Sequence, residues 1–149
     1  MKKLFLLVLI VSLSSCGTFS PKYFDPEPES YEVKVNEEKE HLFVKSNNWM
    51  VQYFKSPESV IQFSDKNYAV INGKYNYLLT STMGNKQYEY IHLRIDARDN
   101  RVRLIVDPLP VRYADNYALN EIKQKVEAVL IEISDDFESY MNNNKLLKY

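Results

Sequence analysis

The clearest pattern in the chain is a period-two alternation of apolar and polar residues between positions 87 and 107. Successive side chains of a strand point to opposite faces, so this alternation predicts strands with one buried face. If residues 99–100 form a two-residue turn, facing residues have numbers that sum to 199. The predicted pairs are Ala97 with Val102, Ile95 with Leu104, Leu93 with Val106, Asp96 with Arg103 and His92 with Asp107. A shift by one residue would mix the two faces, so the register of this hairpin is well specified.

Strand and helix patterns also precede the hairpin. Residues 31–35 alternate apolar and polar, which predicts a half-buried strand. Residues 37–54 carry apolar residues at helical spacing, with glutamates at the N-terminal end, where the helix dipole favours negative charge. Strand patterns return at residues 60–63 and 67–80, and Gly73 is expected to mark a bulge or bend in the longer strand.

A long helix is predicted to begin near Asn116, after two prolines end the hairpin. Its apolar residues form one stripe at helical spacing, made of Leu119, Ile122, Val126, Val129, Leu130, Ile133, Phe137, Tyr140 and Met141. A sheet with one apolar face and two helices with one apolar stripe each satisfy one another when both helices lie on the same side. The predicted fold is therefore α+β, in the order β-α-β4-α, with an antiparallel sheet and two helices packed on one face.

Residues 1–15 have the layout of a secretory signal peptide. Their apolar run is shorter than the roughly 20 residues that a helix needs to cross a bilayer. The segment Leu13-Ser14-Ser15-Cys16 is similar to the lipobox of bacterial lipoproteins, whose cysteine accepts the lipid. Cys16 is the only cysteine, and exported proteins rarely leave a lone thiol unpaired. We expect lipidation of Cys16 and a lipid-anchored protein on the periplasmic side of the cell envelope, with the outer membrane preferred over the inner.

Residues 16–30 are expected to form a tether between the lipid and the domain, because they hold too little apolar content to pack and too much proline for a helix or a ladder. Residues 31–145 then form one domain. The formal net charge of the 149-residue chain is −1, and it becomes −3 once Lys2 and Lys3 are removed. Binding to nucleic acid is therefore not expected.

A family resemblance is carried by two stretches, residues 49–66 and residues 70–74. They read WMVQYFKSPESVIQFSDK and VINGK. With this aromatic helix end, the Val-Ile-Gln strand and its Asp-Lys turn, and the following Ile-Asn-Gly strand, the chain resembles an uncharacterised bacterial envelope lipoprotein family, described as a domain of unknown function with a TBP-like fold. The resemblance covers about residues 31–145. It implies a β-α-β4-α fold, the order that the patterns predict, and it implies no catalytic residue. Proteins of similar shape bind DNA or enclose lipophilic ligands, which for this chain is analogy only.

Residue types that build catalytic and metal sites are sparse in this chain. His41 and His92 are the only histidines and lie on different predicted elements, whereas a zinc site needs three or four convergent ligands. The sequence has no Gly-x-Ser-x-Gly motif and no glycine-rich phosphate loop. Residues 96–100 faintly resemble a calcium loop but lack its glycine and its closing glutamate. Asp135 and Asp136 are interpreted as a solvated pair on the outer side of the last helix. We therefore expect no enzyme activity, no cofactor and no metal.

The candidate functional surface is the face of the predicted sheet that points away from the helices. Its residues on the hairpin are Tyr88, Tyr90, His92, Arg94, Arg101 and Arg103, with Tyr75 or Tyr77 adjoining on the preceding strand. The chain has 12 tyrosines, and tyrosine and arginine offer large contact areas at low entropic cost. The simpler interpretation is an ordinary solvated sheet face, on which tyrosines and charged pairs are good strand formers.

Two functional hypotheses follow from these patterns. The first is a non-catalytic binding or assembly module that recognises an envelope protein or a small ligand through the exposed sheet face. The alternative is a carrier or sensor of a small lipophilic ligand, held between the sheet and the last helix by residues such as Leu93, Val126 and Ile133. A pocket lined by these residues would favour the alternative, and a close-packed interior would exclude it. A hydrolytic enzyme would need convergent titratable residues in a cleft, and the patterns predict none.

Overall fold

The computed structural model describes residues 22–82, 85–114 and 116–143. Within these ranges the strands are β1 (Lys22–Phe24), β2 (Glu29–Lys34), β3 (Ile61–Asp65), β4 (Val70–Thr82), β5 (Asn85–Arg98), β6 (Arg101–Pro108) and β7 (Val111–Tyr113). The helices are α1 (Lys39–Phe54), the one-turn α2 (Pro57–Val60) and α3 (Asn116–Asn142). None of these described helices combines the length and the hydropathy that a membrane crossing requires. The predicted signal peptide and Cys16 lie outside the described residues.

Five of the strands form one antiparallel sheet in the order β2-β6-β5-β4-β3, and β1 pairs with β7 in a separate two-stranded sheet. The register between β5 and β6 is the predicted one, with Ile95 opposite Leu104 and Asp96 opposite Arg103. In the connecting turn Asn100 has a φ of 63°, in the left-handed region that asparagine tolerates, whereas Asp99 has no positive φ. The predicted hairpin is therefore confirmed.

Helices α1 and α3 pack against the apolar face of the sheet, as predicted. Leu93, Ile95 and Leu104 on that face are buried. Of the predicted stripe on α3, Leu119 and Tyr140 are half-buried and the other residues are buried. The core therefore forms one layer between the sheet and the two helices, which leaves the opposite face of the sheet without a covering helix in the described part of the chain.

The two long helices meet around Trp49, which is fully buried. Its ring lies edge-on to Phe137, with 4.9 Å between centroids, and stacks on Tyr53 at 5.4 Å. The indole N–H of Trp49 donates a hydrogen bond to Asp136 Oδ1 at 2.7 Å. Asp135 and Asp136 are both exposed, as predicted, but Asp136 is not merely solvated. Helical spacing shows which way a side chain points but not which donor a neighbouring helix brings to it.

Helix α1 has no side-chain cap from its own N-cap residue, and the β5–β6 turn supplies one instead. Asp99 Oδ1 accepts a hydrogen bond from the backbone N–H of Lys39 at 2.9 Å. The backbone N–H of Asn100 donates to the carbonyl of Glu37, also at 2.9 Å. The first N–H groups of a helix have no partner within the helix, so this contact satisfies one of them. It also fixes the start of α1 to the tip of the hairpin.

Strand β1 lies within the segment that the sequence predicts to be a tether without ladder pairing. Its three residues pair with Val111–Tyr113, and Phe24 is half-buried against the core. The prediction is wrong for residues 22–24, because the prolines at 26 and 28 end the pairing after three residues without preventing it. The sheet also begins earlier than the predicted domain boundary, since β2 starts at Glu29.

Strands β4 and β5 are longer than their neighbours. β3 pairs with β4 only as far as Gly73, and β6 pairs with β5 only from Ile91 onward. The rest of this hairpin, residues 75–82 and 85–90, forms a two-stranded ribbon that projects beyond the five-stranded sheet. The bulge expected at Gly73 in the long strand lies elsewhere: β4 pairs regularly with β5 at Gly73 and shifts register between Leu78 and Thr80, whereas the shift opposite Gly73 belongs to β3. A Cβ at this glycine would lie 2.8 Å from Met50 Cε.

Candidate functional site

The sheet surface that points away from the helices is referred to as the open face. On the two central strands it consists of Tyr88, Tyr90, His92, Arg94, Asp96 and Arg98 of β5 and Arg101, Arg103, Ile105 and Asp107 of β6. Their neighbours on the same face are Glu32 and Lys34 of β2 and Asn72, Lys74, Asn76 and Leu78 of β4. All six predicted site residues lie here and all six are exposed. The strict alternation along β5 and β6 places them on one surface.

The six predicted residues form two groups rather than one cluster. The arginine end of the open face comprises Lys34, Arg98, Arg101 and Arg103, around the β5–β6 turn. The tyrosine end comprises Leu78, Tyr88 and Tyr90, on the projecting ribbon. Eight residues of β5 separate position 90 from position 98, which corresponds to about 27 Å. His92 and Arg94 lie between the two ends.

Asp96 organises the arginines next to it. Its Oδ1 accepts a hydrogen bond from Arg94 Nε at 3.0 Å, and its Oδ2 accepts one from Arg103 Nη2 at 3.0 Å. Burial acts to raise the pKa of Asp96, but the hydrogen bonds and positive charges of the two arginines outweigh it, so the pKa lies below its ordinary value. Asp96 is therefore ionised at neutral pH and holds both guanidinium groups in place.

A cavity of about 70 Å³ lies at the arginine end, lined by Glu32, Asp96, Arg98, Arg101 and Arg103. Arg101 Nη1 lies 3.8 Å from Glu32 Oε2, which is beyond hydrogen-bonding distance. Arg98 forms no ion pair with any described residue. With Lys34 and Arg94 close by, basic groups outnumber the two carboxylates on this end of the open face, and a group of acidic residues lies beside it around the β5–β6 turn.

The tyrosine end is an amphipathic aromatic surface. Tyr88 and Tyr90 are 48% and 40% exposed, and Leu78, which faces Tyr88 across the ribbon, is 38% exposed. Lys74 Nζ lies 4.1 Å from the ring centre of Tyr90, in a cation–π arrangement. Aromatic rings with accessible hydroxyl groups offer both apolar contact area and hydrogen bonding to a partner.

Tyr75 and Tyr77 lie on the opposite side of the sheet. Tyr75 packs against Phe54 with 4.7 Å between ring centroids. Tyr77 is 3% exposed, its hydroxyl has no hydrogen-bond partner among the described residues, and burial raises its pKa to about 12. The expectation that either tyrosine adjoins the open face is wrong, because β4 pairs with β5 in the register that places Lys74 and Asn76 there.

Sequence reasoning missed several residues of the open face, among them Arg98, Glu32 and Lys74. Arg98 could have been found, because the predicted register places it opposite Arg101. Glu32 and Lys74 belong to β2 and β4, and the order in which those strands flank the hairpin does not follow from alternation alone.

Other sites considered from the sequence find no support in the structure. The described residues hold no group of three or more His, Cys, Asp or Glu side chains placed to bind a metal ion. His41 is exposed on α1, and the calcium-like segment forms the end of β5 and the hairpin turn. Leu93, Val126 and Ile133 are buried, and they line neither the cavity at the arginine end nor a second one bordered by polar residues around the β5–β6 turn.

A family model described as "Domain of unknown function (DUF4468) with TBP-like fold" matches residues 31–109, which span the sheet from β2 to β6. The chain belongs to this DUF4468 family. The match covers the open face but not α3, whereas the resemblance seen in the sequence was expected to extend to residue 145. A search of curated proteins gives no match.

Two solved structures share the DUF4468 fold. A DUF4468 family protein from Bacteroides ovatus has a TM-score of 0.61 and 13% identity, and the alignment covers 82% of this chain and 92% of that one. A TBP-like protein from Parabacteroides distasonis has a TM-score of 0.57 and 16% identity, with 78% and 94% covered. The predicted α+β, TBP-like architecture is therefore confirmed. At these identities the relatives show the fold alone, and roles for residues must come from the site itself.

Proposed function

We propose that this DUF4468 domain is a non-catalytic binding module of the cell envelope that recognises a partner protein through its open face. The observation that carries the proposal is the placement of Tyr88, Tyr90 and the arginines on one exposed surface without a covering helix. Tyrosine and arginine dominate the energetics of protein interfaces. Asp96 holds Arg94 and Arg103 in position before a partner arrives, which lowers the ordering cost of binding.

The dimensions of the open face support this proposal. The 14 residues of β5 make the open face about 45 Å long. It is about 20 Å wide where five strands lie side by side and only two strands wide along the projecting ribbon. A typical stable protein interface covers about 800 Å² of each partner. The open face is therefore comparable in size with one side of such an interface.

The decisive experiment places a photo-crosslinking amino acid on the full-length protein in its native envelope. Tyr90 is replaced by p-benzoylphenylalanine, and Tyr68 and Tyr117, which are 78% and 73% exposed on other parts of the domain, are replaced in the same way as matched controls. A discrete crosslinked product is expected from position 90 and not from the controls. Tyr88→Ala should reduce that product without lowering the melting temperature, because Tyr88 contributes contact area rather than core packing. Equal crosslinking from all three positions, or none from position 90, contradicts the proposal.

We also propose that Cys16 carries the lipid that holds the domain at the membrane. The signal-peptide layout and the lipobox-like segment support this assignment. Six residues lead from Cys16 to Lys22, and a fully extended chain of that length spans about 20 Å. The domain would therefore remain close to the membrane surface.

Metabolic labelling with a fatty acid tests the anchor directly. The wild-type protein and the control Ser14→Ala are expected to take up label and to sediment with membranes. Cys16→Ser should do neither, because its hydroxyl cannot replace the thiol as the acyl acceptor. Labelling of the Cys16→Ser protein would show that the anchor lies elsewhere.

A further inference from the structure

We infer that the arginine end of the open face is a carboxylate-binding site, which receives acidic side chains from a segment of the partner protein. This inference rests on the proposed function, and it goes further by assigning the chemistry of the partner at one end of the surface. It follows from three features of that end, which are its surplus of guanidinium donors, its cavity and its position on the molecule.

The surplus of donors is visible in the hydrogen bonds. Both oxygens of Asp96 are already engaged, by Arg94 and by Arg103. Glu32 approaches Arg101 only to 3.8 Å, and Arg98 has no ion pair within the described part of the chain. A guanidinium group offers five N–H donors in a planar fork that matches a carboxylate. Arg98 and Arg101 therefore have donors available for an incoming anion.

The cavity between these side chains has room for such a group. Its volume of about 70 Å³ exceeds several-fold the roughly 10–15 Å³ that one water molecule requires on the same measure. A carboxylate entering it would meet Arg98, Arg101 and Arg103 together. Because Asp96 and Glu32 also line the cavity, a single carboxylate fits the local charge better than a densely charged polyanion such as a nucleic acid.

The position of the arginine end favours a protein over the lipid surface to which the chain is proposed to be anchored. Strand β1 leads into β2, whose first residue, Glu29, lies opposite Val106 near the end of β6. Strand β1 also pairs with β7, and β7 follows β6 in the chain. Arg101 begins β6, seven residues or about 23 Å from that end. The arginine end thus lies away from the point where the chain leaves toward Cys16. It is also continuous along β5 with the tyrosine end, whose composition suits a protein interface.

Binding of a fluorescein-labelled, glutamate-rich peptide to the detergent-solubilised full-length protein tests the inference. The double variant Arg98→Gln, Arg101→Gln is compared with Arg112→Gln, Lys125→Gln, which removes the same charge from exposed positions elsewhere. We expect the Kd for the peptide to rise about tenfold in the first variant and to stay near the wild-type value in the control, with weaker binding at high salt. Equal loss in both variants would mean that only net charge matters, and would overturn the inference.

Two further outcomes identify a different occupant. Soluble dihexanoyl phosphatidylglycerol is titrated as a second probe. If this lipid binds in a way that depends on Arg98 and Arg101 and the peptide does not bind, the occupant is a lipid headgroup and the inference is overturned. Self-association that the same double variant abolishes would also overturn it, because acidic residues near the hairpin turn, such as Glu38 and Glu40, would then be the occupants. The crosslink from position 90 is measured on a chain with intact arginines, so failure of this inference is distinguishable from failure of the proposed function.

Discussion

The carboxylate of Asp96 contributes both to the stability of the fold and to the arrangement of the candidate site. Its side chain is only 10% exposed, yet it is ionised, because Arg94 and Arg103 each donate to one of its oxygens. Removing the charge leaves two arginines without their partner, although both are about half exposed and water compensates for part of the loss.

Asp96→Asn is expected to lower the free energy of unfolding at neutral pH by about 1–2 kcal/mol. The pKa of Asp96 is lower in the folded state than in the unfolded state, so its stabilising contribution is present above about pH 4 and is lost as the pH falls through the folded-state pKa. Urea titrations from about pH 5 downward should show a steeper loss of stability for wild type than for the variant. Asp107→Asn, on the same face and without an ion pair to any described residue, is the control and should parallel wild type.

For single residues, the sequence predicts the facing pairs of a hairpin with regular alternation. It does not predict the face of a residue type that occurs both in cores and on surfaces. Asp96 opposite Arg103 follows from alternation and a two-residue turn. Tyr77 was assigned to the wrong face because tyrosine suits both a core and a solvated surface. When tyrosine is counted as apolar, the alternation of Tyr75 and Tyr77 with Lys74 and Asn76 predicts that the two tyrosines face the helices.

Between elements, α1 and α3 are joined by polar contacts as well as by aromatic packing. Trp49 and Asp136 join the C-terminal halves of the two helices, and Lys45 Nζ donates to the carbonyl of Met141 in the last turn of α3 at 2.8 Å. Lys45 also pairs with Glu37 at 2.8 Å. The sequence predicts the apolar stripes that bring the helices together. It does not predict the polar contacts between them, because those contacts depend on how the two helices are rotated against each other.

Asp136→Ala is expected to destabilise the domain by about 1–3 kcal/mol, because it leaves the buried indole N–H of Trp49 without an acceptor. Asp135→Ala removes the same charge from the neighbouring exposed position and should change the stability by less than about 0.5 kcal/mol. Trp49 is the only tryptophan, so its fluorescence reports on unfolding and on its own environment in both variants. A similar cost for the two substitutions would show that charge rather than the hydrogen bond is responsible.

On the scale of the whole molecule, β1 joins the N-terminal segment to β7 and packs beside α3. Phe24 is half-buried against the core, and its ring centre lies 5.5 Å from Lys123 Nζ on α3. The sequence did not predict this strand, because three residues are too few for a period to be recognised and the prolines that follow are typical of an unpaired segment. The five strands of the main sheet and the two long helices could be predicted, since each carries a repeating pattern, whereas the one-turn α2 and the three-residue β7 could not.

Phe24→Ala is expected to lower the melting temperature of the full-length protein, at a cost of about 1–2 kcal/mol for the apolar area that returns to water. Tyr23→Ala, at the adjacent and mostly exposed position of the same strand, is the matched control and should have little effect. Calorimetry on both variants measures the difference. If Phe24→Ala melts with the wild type, β1 contributes nothing to the stability of the domain.

The joint between the β5–β6 turn and α1 has a consequence for the order of folding. The hairpin closes between residues that are neighbours in the chain, whereas Asp99 reaches Lys39 across 60 positions. Contacts between distant residues carry the larger loop-closure cost and form late. We expect an inserted residue in the hairpin turn to shift the register of β6 and, by the same change, to break the hydrogen bond that caps the first helix.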